Sequence, residues 1–385
     1  FFSVPLPCTM PIVQIPTVPV SNVQTLFDWG DRQLIGQGAY ADVFAVACRT
    51  THQEFAVKQV FKSRLKREQD VRRLQTEIHV TRELEHKGCT KCYHVFQDED
   101  AVYFQLELLR GGDLCQVLMQ HTTLPEHAVA RFTRQVLETL EYLQNWYGIA
   151  HLDIKLDNLL CSSTNVSTAD IKLADFGFAQ ILRESANTVP ESNSADDADV
   201  ACGATLDQCL VSPKGTMGYM SPELFRQRLQ DLTQPLVTPR PDVQKMDVYS
   251  VGVVAYLLLS GAFPHKVSLP RPQHLRSIHG GPKFCLPTWR TISHAAQDFC
   301  RHLLHADPTH RPSIRQALDH EWLCVPARSL TGAAAPAASE LPNETTPAPE
   351  TPPTVISSEP GSKLSSSHPS NAAALGNTTV DSSAA

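Results

Sequence analysis

Residues 148–158 read GIAHLDIKLDN, the most informative stretch of the chain. It places an aspartate, a lysine and an asparagine at relative positions 0, +2 and +5, as Asp153, Lys155 and Asn158. Phosphoryl transfer uses a carboxylate that orients the attacking hydroxyl, a cation that balances charge, and an amide oxygen that helps to hold a metal ion. Downstream, Asp175 opens an Asp-Phe-Gly triplet and is a second candidate ligand for Mg²⁺.

A glycine-rich segment and a lysine–glutamate combination lie upstream. Residues 35–43 carry Gly36 and Gly38 between two predicted strands, and glycines let a backbone approach phosphate groups closely. Lys58 follows in the next predicted strand, and Glu77 lies on the helix after it. Read singly, these residues are more often a plain turn and two solvated charges. In this order they predict a phosphate-binding loop and an ion pair that holds the lysine at a nucleotide.

The spacing of apolar residues predicts strands in the first third of the chain and helices after it. Helices are expected over 64–85, 125–147 and 247–260, and the last is apolar almost all round, which indicates burial in a large helical lobe. Strands followed by helices favour an α+β fold of two lobes. The predicted strands are Gln33–Gly36, Asp42–Cys48, Glu54–Val60 and Val102–Leu109.

Composition sets the expected domain boundaries. Residues 1–27 form a proline-rich arm, which we expect to be extended and to lie on a lobe. The globular domain covers 28–323, with a first lobe of about 28–108 and a second of about 109–323. Residues 324–385 are rich in Ala, Pro, Ser and Thr, and we expect this tail to be disordered because it has little apolar surface to bury.

Two insertions are expected in the second lobe. The first, at 183–211, is acidic and should be mobile, and the second, near 227–245, contains prolines and should be a surface loop. Because the sequence begins with Phe1 rather than methionine, we expect it to be a fragment or a trimmed chain.

Charge and cysteine usage argue against several classes of protein. The net charge is −7 and no basic tract is present, so the chain has no electrostatic footprint for nucleic acid or an anionic membrane. No apolar stretch is long enough for a membrane span. Cys89 and Cys92 form a C-x-x-C without the second pair of a zinc site, so we expect reduced thiols in a cytoplasmic protein, with the nucleus left open.

In order and spacing, these motifs resemble those of eukaryotic protein kinases over residues 28–323. The resemblance implies a bilobal fold with a small β-rich N-lobe and a larger helical C-lobe, ATP and Mg²⁺ as cofactors, and protein substrates. The sequence departs from the pattern at two positions. Leu152 stands where the family usually has an arginine, and Ala41 replaces the third glycine of the loop.

The resemblance also assigns roles by position. Asp153 would be the catalytic base and Lys155 the partner of the γ-phosphate. Lys58, held by its ion pair with Glu77, would contact the α- and β-phosphates. Mg²⁺ would be held by Asn158 and Asp175. The nucleotide would contact Ile35, Gly36, Gly38, Val43, Ala56, Leu114 and Leu160, with Leu106 as gatekeeper and Glu107 to Leu109 as the hinge. His151 would be structural and stack on Phe176.

Further matches lie in the helical lobe. The resemblance implies that Glu223 pairs with Arg311. It also implies that Asp247, on the buried helix, braces residues 148–158, which correspond to the catalytic loop of the family. Lys155 together with Thr216 is typical of serine/threonine kinases rather than tyrosine kinases. The spelling of this lobe is most similar to the calcium/calmodulin-dependent kinase group, although no calmodulin-binding signature is evident.

Charged residues near the site lead to two expectations. Asp113 and Asp157 stand where kinases of basic substrates carry acids, so we expect a preference for arginine upstream of the target serine, with two ordinary solvated acids as the alternative. Leu152 cannot grip a phosphate, and Arg73 would offer one cation, so activity should depend only weakly on phosphorylation of Ser212.

A serine/threonine protein kinase is the leading hypothesis, and two others stay open. A pseudokinase or signalling scaffold would act through its surfaces. Such proteins commonly lack at least one of five residues that are all present here: Lys58, Glu77, Asp153, Asn158 and Asp175. A small-molecule kinase of related fold is disfavoured by the peptide-positioning segment 215–223. The sequence leaves the physiological substrate, the upstream activator and the oligomeric state open.

Overall fold

The small lobe is built on a six-stranded sheet. A computed structural model of the chain describes residues 18–19, 23–182, 208–211, 216–230, 236–266 and 271–324. The strands are β1 (Val18–Pro19), β2 (Gln33–Gln37), β3 (Ala41–Ala47), β4 (Glu54–Phe61), β5 (Cys92–Gln97) and β6 (Ala101–Leu106). Their order is β1-β5-β6-β4-β3-β2, and all neighbours are antiparallel except β1, which runs parallel to β5. The four predicted strands are confirmed, although the last ends at Leu106 rather than Leu109.

The side chains of β4 alternate between two different neighbours. Val57 packs on one face of the sheet with buried side chains of residues 23–29. Val60 packs on the opposite face with side chains of helix α1 (Glu68–Glu83). Because side chains of a strand alternate with a period of two, Lys58 points to the same face as Val60. The alternation therefore directs the ammonium group of Lys58 toward α1.

The described part of the N-terminal arm lies on the small lobe. It begins with β1, which pairs with Phe96 and Gln97 of β5. Val23 and Phe27 are 3% and 1% exposed and belong to the apolar cluster on the face of the sheet that is remote from α1. The core of the small lobe thus includes side chains that precede the expected boundary at residue 27.

Helices make up most of the second lobe. Their bounds are α2 (Leu114–His121), α3 (Glu126–Tyr142), α4 (Pro222–Gln230), α5 (Arg240–Ser260), α6 (Arg271–His279), α7 (His294–Leu303), α8 (Ile314–Leu318) and α9 (Glu321–Cys324). Three pairs of short antiparallel strands accompany them: β7 (Ile149–Ala150) with β10 (Gln180–Ile181), β8 (Leu159–Cys161) with β9 (Ile171–Leu173), and β11 (Gln208–Val211) with β12 (Leu236–Pro239). The predicted α+β fold of two lobes is confirmed.

Helix α5 forms the centre of the helical lobe. Its side chains from Val248 to Leu259 are almost all buried, as its uniformly apolar sequence predicts. The apolar stripe of α3, which includes Phe132 and Leu140, is buried in the same core. After Tyr142, α3 continues as one π-helical turn (Leu143–Tyr147) and ends at Gly148. The φ of Gly148 is 63°, a left-handed conformation that is common at the C-terminus of a helix. Among the described residues, no helix is long and apolar enough to cross a membrane.

The prediction of a surface loop near 227–245 is wrong for most of that segment. Helix α4 continues to Gln230, β12 follows, and α5 begins at Arg240 with Val243 fully buried. Proline misled the prediction: Pro241 lies in the first turn of α5, where the missing N–H group costs no helical hydrogen bond.

The expected insertion at 183–211 ends in a strand, since β11 pairs with β12. Residues 183–207, 231–235 and the expected tail after Cys324 lie outside the described residues.

One buried histidine of the helical lobe lacks a hydrogen bond of regular geometry within the described ranges. His265 is 5% exposed, and its ring nitrogens have only a weaker contact with the backbone of Ser277. Burial, and next the neighbouring His274, lower the pKa of His265 to about 4. His265 is therefore neutral near pH 7 and resists protonation until the solution is much more acidic.

Replacing this group should reduce the acid sensitivity of the fold. Unfolded histidine binds a proton near pH 6.5, so wild type should lose stability as the pH falls from about 6.5 to about 4. Between pH 7.5 and 5, His265→Phe should avoid about 2 kcal/mol of this loss, as measured by urea unfolding. The exposed His294 provides the matched control, His294→Phe. Equal pH dependence of wild type and His265→Phe would show that His265 does not cause it.

Candidate active site

A buried carboxylate fixes the backbone of the catalytic loop. Asp247 of α5 accepts hydrogen bonds from the N–H groups of His151 and Leu152, both at 2.7 Å. Burial raises the pKa of Asp247 to about 7, and the two N–H donors act against this shift. Leu152 adopts a φ of 62°, a left-handed conformation that is unusual for leucine. The brace from the buried helix that the sequence predicts is thus found in the structure.

Asp153 lies where three predicted side chains converge. Its Oδ2 accepts hydrogen bonds from Lys155 Nζ at 2.7 Å and Asn158 Nδ2 at 3.1 Å. Its Oδ1 accepts one from Thr216 Oγ1 at 3.0 Å. The Asp153 side chain is 3% exposed. The result is a nearly buried carboxylate whose orientation is set by one cation and two neutral donors.

Lys58 contacts one carboxylate of its own lobe and one of the helical lobe. Its Nζ lies 2.5 Å from Glu77 Oε1 on α1 and 3.3 Å from Asp175 Oδ1. Burial disfavours the charged amine, but the carboxylates of Asp175 and Glu77 outweigh it and raise the pKa of Lys58. The Lys58 ammonium in turn lowers the pKa of Asp175. Lys58 is therefore a fixed positive charge at neutral pH.

Two oxygen donors suited to a divalent cation lie beside this group. Asn158 uses its amide nitrogen on the backbone and side chain of Asp153, which directs the amide oxygen elsewhere. Asp175 is 43% exposed, so its carboxylate is accessible. A backbone hydrogen bond from Ala174 N to Asn158 O, 2.9 Å long, keeps the two segments adjacent. Carboxylate and amide oxygens are the ligands that Mg²⁺ prefers, so these residues fit the ion.

The glycine-rich loop is the hairpin between β2 and β3. Gly36 lies opposite Val43 in the sheet, and Gly38 N–H donates to Ala41 O at 2.7 Å. A Cβ atom on Gly38 would lie only 3.3 Å from that carbonyl oxygen, so a side chain would crowd the turn. Ile35, at the start of the loop, is 41% exposed. The loop thus presents its backbone together with the exposed side chains of Ile35 and Tyr40, which is 42% exposed.

The predicted nucleotide contacts differ in accessibility. Ala56 lies beside Leu106 across the β4–β6 pair, and Leu160 is half-buried on β8. Leu114 is completely buried in the core of the helical lobe. The expectation that Leu114 contacts the base is therefore wrong for this conformation, because the first residue of α2 turns inward. The half-buried Leu109 has a backbone N–H without a hydrogen-bond partner in the part of the chain that the structure describes.

The hinge carries an ion pair that the sequence did not reveal. The carboxylate of Glu107 accepts hydrogen bonds from Lys172 Nζ at 2.7 and 2.8 Å and from Lys91 N at 2.7 Å. Lys172 belongs to β9, the strand that ends just before Ala174 and Asp175. No short-range pattern connects residues so far apart in the sequence. The pair ties the hinge to the strand that leads to the metal-binding triplet.

His151 has a structural environment. Its side chain is fully buried and meets the ring of Phe176 edge-on, with centroids 5.2 Å apart. Its Nδ1 accepts a hydrogen bond from Asp153 N at 3.3 Å. Burial lowers the pKa of His151, so the ring is neutral near pH 7. These contacts agree with the expectation that His151 is structural and packs on Phe176.

A buried ion pair lies at the end of the peptide-positioning segment 215–223. Arg311 donates from Nη1 to Glu223 Oε1 at 2.9 Å and from Nη2 to Glu223 Oε2 at 3.1 Å. The guanidinium also donates to the carbonyl oxygens of Lys245 and His305 and lies 5.0 Å from the centre of the Tyr249 ring. The Arg311 side chain has no exposed surface. Residues 212–215, which include Ser212 and Gly215, lie outside the described residues.

Comparison with known proteins agrees with this geometry. Residues 29–323 match the protein kinase domain. Calcium/calmodulin-dependent protein kinase type 1 of Caenorhabditis briggsae is 29% identical over 306 residues, which cover 79% of this chain and 74% of the relative. The type 1B kinase of Rattus norvegicus is 29% identical over 292 residues, covering 76% and 74%. A probable myosin light chain kinase of Dictyostelium discoideum is 27% identical over 303 residues, covering 79% and 68%.

The two-lobed fold and the matched domain define a protein kinase. The chain belongs to the protein kinase family, and the sequence of its domain is similar to those of calcium/calmodulin-dependent kinases. Within that family it is a protein serine/threonine kinase, as the combination of Lys155 with Thr216 predicts.

Removing one member of the buried ion pair should destabilise the helical lobe strongly. Arg311→Met leaves Glu223 buried without its cation, and we expect a loss of about 3–5 kcal/mol in the free energy of unfolding. Arg301→Met is the matched control, because Arg301 pairs with Asp298 at the surface and should cost less than about 1 kcal/mol. Chemical denaturation of both variants measures the difference. A similar small loss in both would mean that the buried pair contributes little.

Proposed function

We propose that this kinase transfers the γ-phosphoryl group of Mg-ATP to serine and threonine hydroxyls of proteins, and that it prefers arginine upstream of the acceptor. The observation that carries the first part is the convergence of Lys155, Asn158 and Thr216 on the buried carboxylate of Asp153. Mg-ATP would supply the phosphoryl group and the metal charge that neutralises it during transfer.

Asp153 would orient the incoming hydroxyl and accept its proton. Its two oxygens are held in fixed directions by neighbouring donors, so the carboxylate needs little rearrangement before it meets a substrate. Lys155 lies 2.7 Å from Asp153 and would add positive charge on the side of the γ-phosphoryl group. Positioning and electrostatic stabilisation are the main contributions that a protein makes to this reaction.

The depth of Asp153 supports a short acceptor. Its carboxylate is nearly buried, and Thr216 and Lys155 close the space around it, with 3.4 Å between Lys155 Nζ and Thr216 Oγ1. A serine or threonine hydroxyl must come close to the backbone of the substrate to reach such a group. A tyrosine hydroxyl, which stands several ångströms further from its backbone, would not fit the same approach.

The nucleotide and the metal would be held by residues of both lobes. Lys58 would contact the phosphates from the small lobe, while Asn158 and Asp175 would hold Mg²⁺ from the helical lobe. The N–H group of Leu109 would donate to the base, between apolar contacts from Ala56 and Leu160. The proposal rests on the fit of these residue types, because a fixed cation and hard oxygen donors suit a metal-bound polyphosphate.

Phosphoryl transfer to a peptide library tests the activity directly. Purified protein with Mg-ATP should phosphorylate serine peptides that contain arginine. Asp153→Asn should reduce kcat by at least about 100-fold, because an amide cannot accept the proton. Calorimetry with Mg-ADP should show that this variant still binds nucleotide. Equal activity of Asp153→Asn would point to a contaminating kinase, and a wild type that binds nucleotide without transfer would favour the scaffold hypothesis.

Two adjacent acids support the preference for arginine. Asp113 caps α2 by accepting a hydrogen bond from Gln116 N at 2.8 Å, and Asp157 lies in the catalytic loop. Burial raises the pKa of Asp113, the capping N–H groups oppose this, and the charge of Asp157 raises it further. Neither carboxylate has an ion-pair partner in the described ranges. A guanidinium between them would relieve their repulsion and donate charge-assisted hydrogen bonds to both carboxylates.

Asp113→Asn separates charge from helix capping, because asparagine caps a helix as well as aspartate does. We expect kcat/KM for an arginine-containing peptide to fall about tenfold, and that for the same peptide with methionine in place of arginine to stay constant. Asp157→Asn should show the same pattern. A parallel loss with both peptides, or no loss with either, would contradict recognition of arginine by this pair of acids.

A further inference from the structure

A second contact joins α1 to the segment that follows Asp175. The guanidinium carbon of Arg73 lies 4.7 Å from the centre of the Phe178 ring, within the range of a cation–π interaction. The Arg73 side chain is only 25% exposed, and Phe178 is half-buried. Partial burial strengthens such a contact, because water competes less well for the cation.

The guanidinium of Arg73 is positioned by its own helix. Asp70 Oδ1 lies 3.8 Å from Arg73 Nη1, and Asp70 Oδ2 accepts a hydrogen bond from Arg67 N at 3.2 Å. The hydrogen bond from Arg67 N caps the start of α1 and holds the Asp70 carboxylate in place. Arg73 is thus directed toward Phe178 by a buried acid that is itself fixed.

Helical spacing places this contact next to the catalytic ion pair. Arg73 and Glu77 are four residues apart on α1 and therefore lie on the same face of the helix. Glu77 holds Lys58, which reaches Asp175, while Arg73 reaches Phe178, three residues after Asp175. Two contacts, one helical turn apart, connect the same helix to the same short segment.

The environment of Arg73 distinguishes this role from phosphate binding. The sequence suggested that Arg73 offers a cation to a phosphate, but its guanidinium already contacts Asp70 and Phe178. Leu152 lines the same cavity of about 280 Å³ as Arg73 and Phe178 and contributes no charge to it. The arginine is engaged within the protein, on the side of α1 that faces the metal-binding triplet.

We propose that Arg73 is a positioning residue for the nucleotide and metal site: by stacking on Phe178, it fixes α1 against the segment of Asp175 and so keeps Lys58, Glu77 and Asp175 in register. The inference rests on the proposed function for its catalytic consequence. Loss of the contact would let α1 shift relative to Asp175. Nucleotide binding and turnover would then weaken, while peptide binding would stay unchanged, because the acids at Asp113 and Asp157 lie in the other lobe.

Substitutions on both sides of the contact test this role. Arg73→Met should weaken Mg-ADP binding about three- to tenfold, as measured by calorimetry, and lower kcat without changing KM for the peptide. Phe178→Leu should have a similar effect, and the double variant should be little worse than either single one. Arg73→Lys should restore part of the affinity, because it keeps the cation. Arg72→Met is the matched control, since Arg72 lines the same cavity but is 73% exposed and pairs with Glu68 at the surface.

Hydrogen exchange of residues 68–83 provides a readout that does not depend on activity. Exchange should increase in Arg73→Met and Phe178→Leu and stay at the wild-type level in Arg72→Met. Additive effects of the two substitutions, or unchanged affinity and exchange in Arg73→Met, would overturn the inference even if the wild type is an active kinase. If the wild type binds Mg-ADP but transfers no phosphoryl group, the proposed function fails, and the affinity and exchange measurements still decide the role of Arg73. If Arg73→Met does not fold, Arg73→Lys and Phe178→Leu decide it in the same way.

Discussion

The two hydrogen bonds that Asp247 accepts from the catalytic loop are the constraint on which the site depends. A carboxylate buried in a helical core is costly unless donors satisfy it, and the N–H groups of His151 and Leu152 are such donors. To aim both amides at one acid, Leu152 takes a left-handed φ, which costs on the order of 1 kcal/mol for a residue with a Cβ atom. The bonds hold this conformation, and it sets the direction from which Asp153 enters the site.

The other half of the site depends on the alternation of a single strand. The residues of β4 that face α1 include Lys58, and those that face the opposite side pack on the N-terminal residues. A shift of register by one residue would exchange the two sets and separate Lys58 from Glu77. The apolar packing on both faces of the sheet therefore fixes the ion pair at the nucleotide site. Catalytic geometry in the small lobe is a consequence of how the sheet is buried.

Features that depend on local spacing could be predicted from the sequence. The strands of the small lobe, the buried helix around Val251 and the apolar stripe of α3 follow from periods of two and 3.6 residues. The catalytic and metal-binding residues could be assigned because their motifs occur in a recognisable order. The partnership of Glu107 with Lys172 could not be predicted, because tertiary packing alone brings the two segments together. The prediction of a surface loop near 227–245 failed for a different reason, because Pro241 lies in the first turn of a helix instead of interrupting one.

Leu152 illustrates how a substitution within a motif changes the physics of coupling. Its side chain packs against an apolar cluster that includes Leu182, which follows the Asp-Phe-Gly triplet, and Met220 of the peptide-positioning segment 215–223. Attraction between apolar groups is roughly proportional to the area removed from water and does not require a charged partner. An ionic contact at the same place would weaken with salt, whereas this packing is insensitive to screening. In this chain, packing of Leu152 links the catalytic loop to Leu182 and Met220, and the cation of Arg73 connects α1 with Phe178.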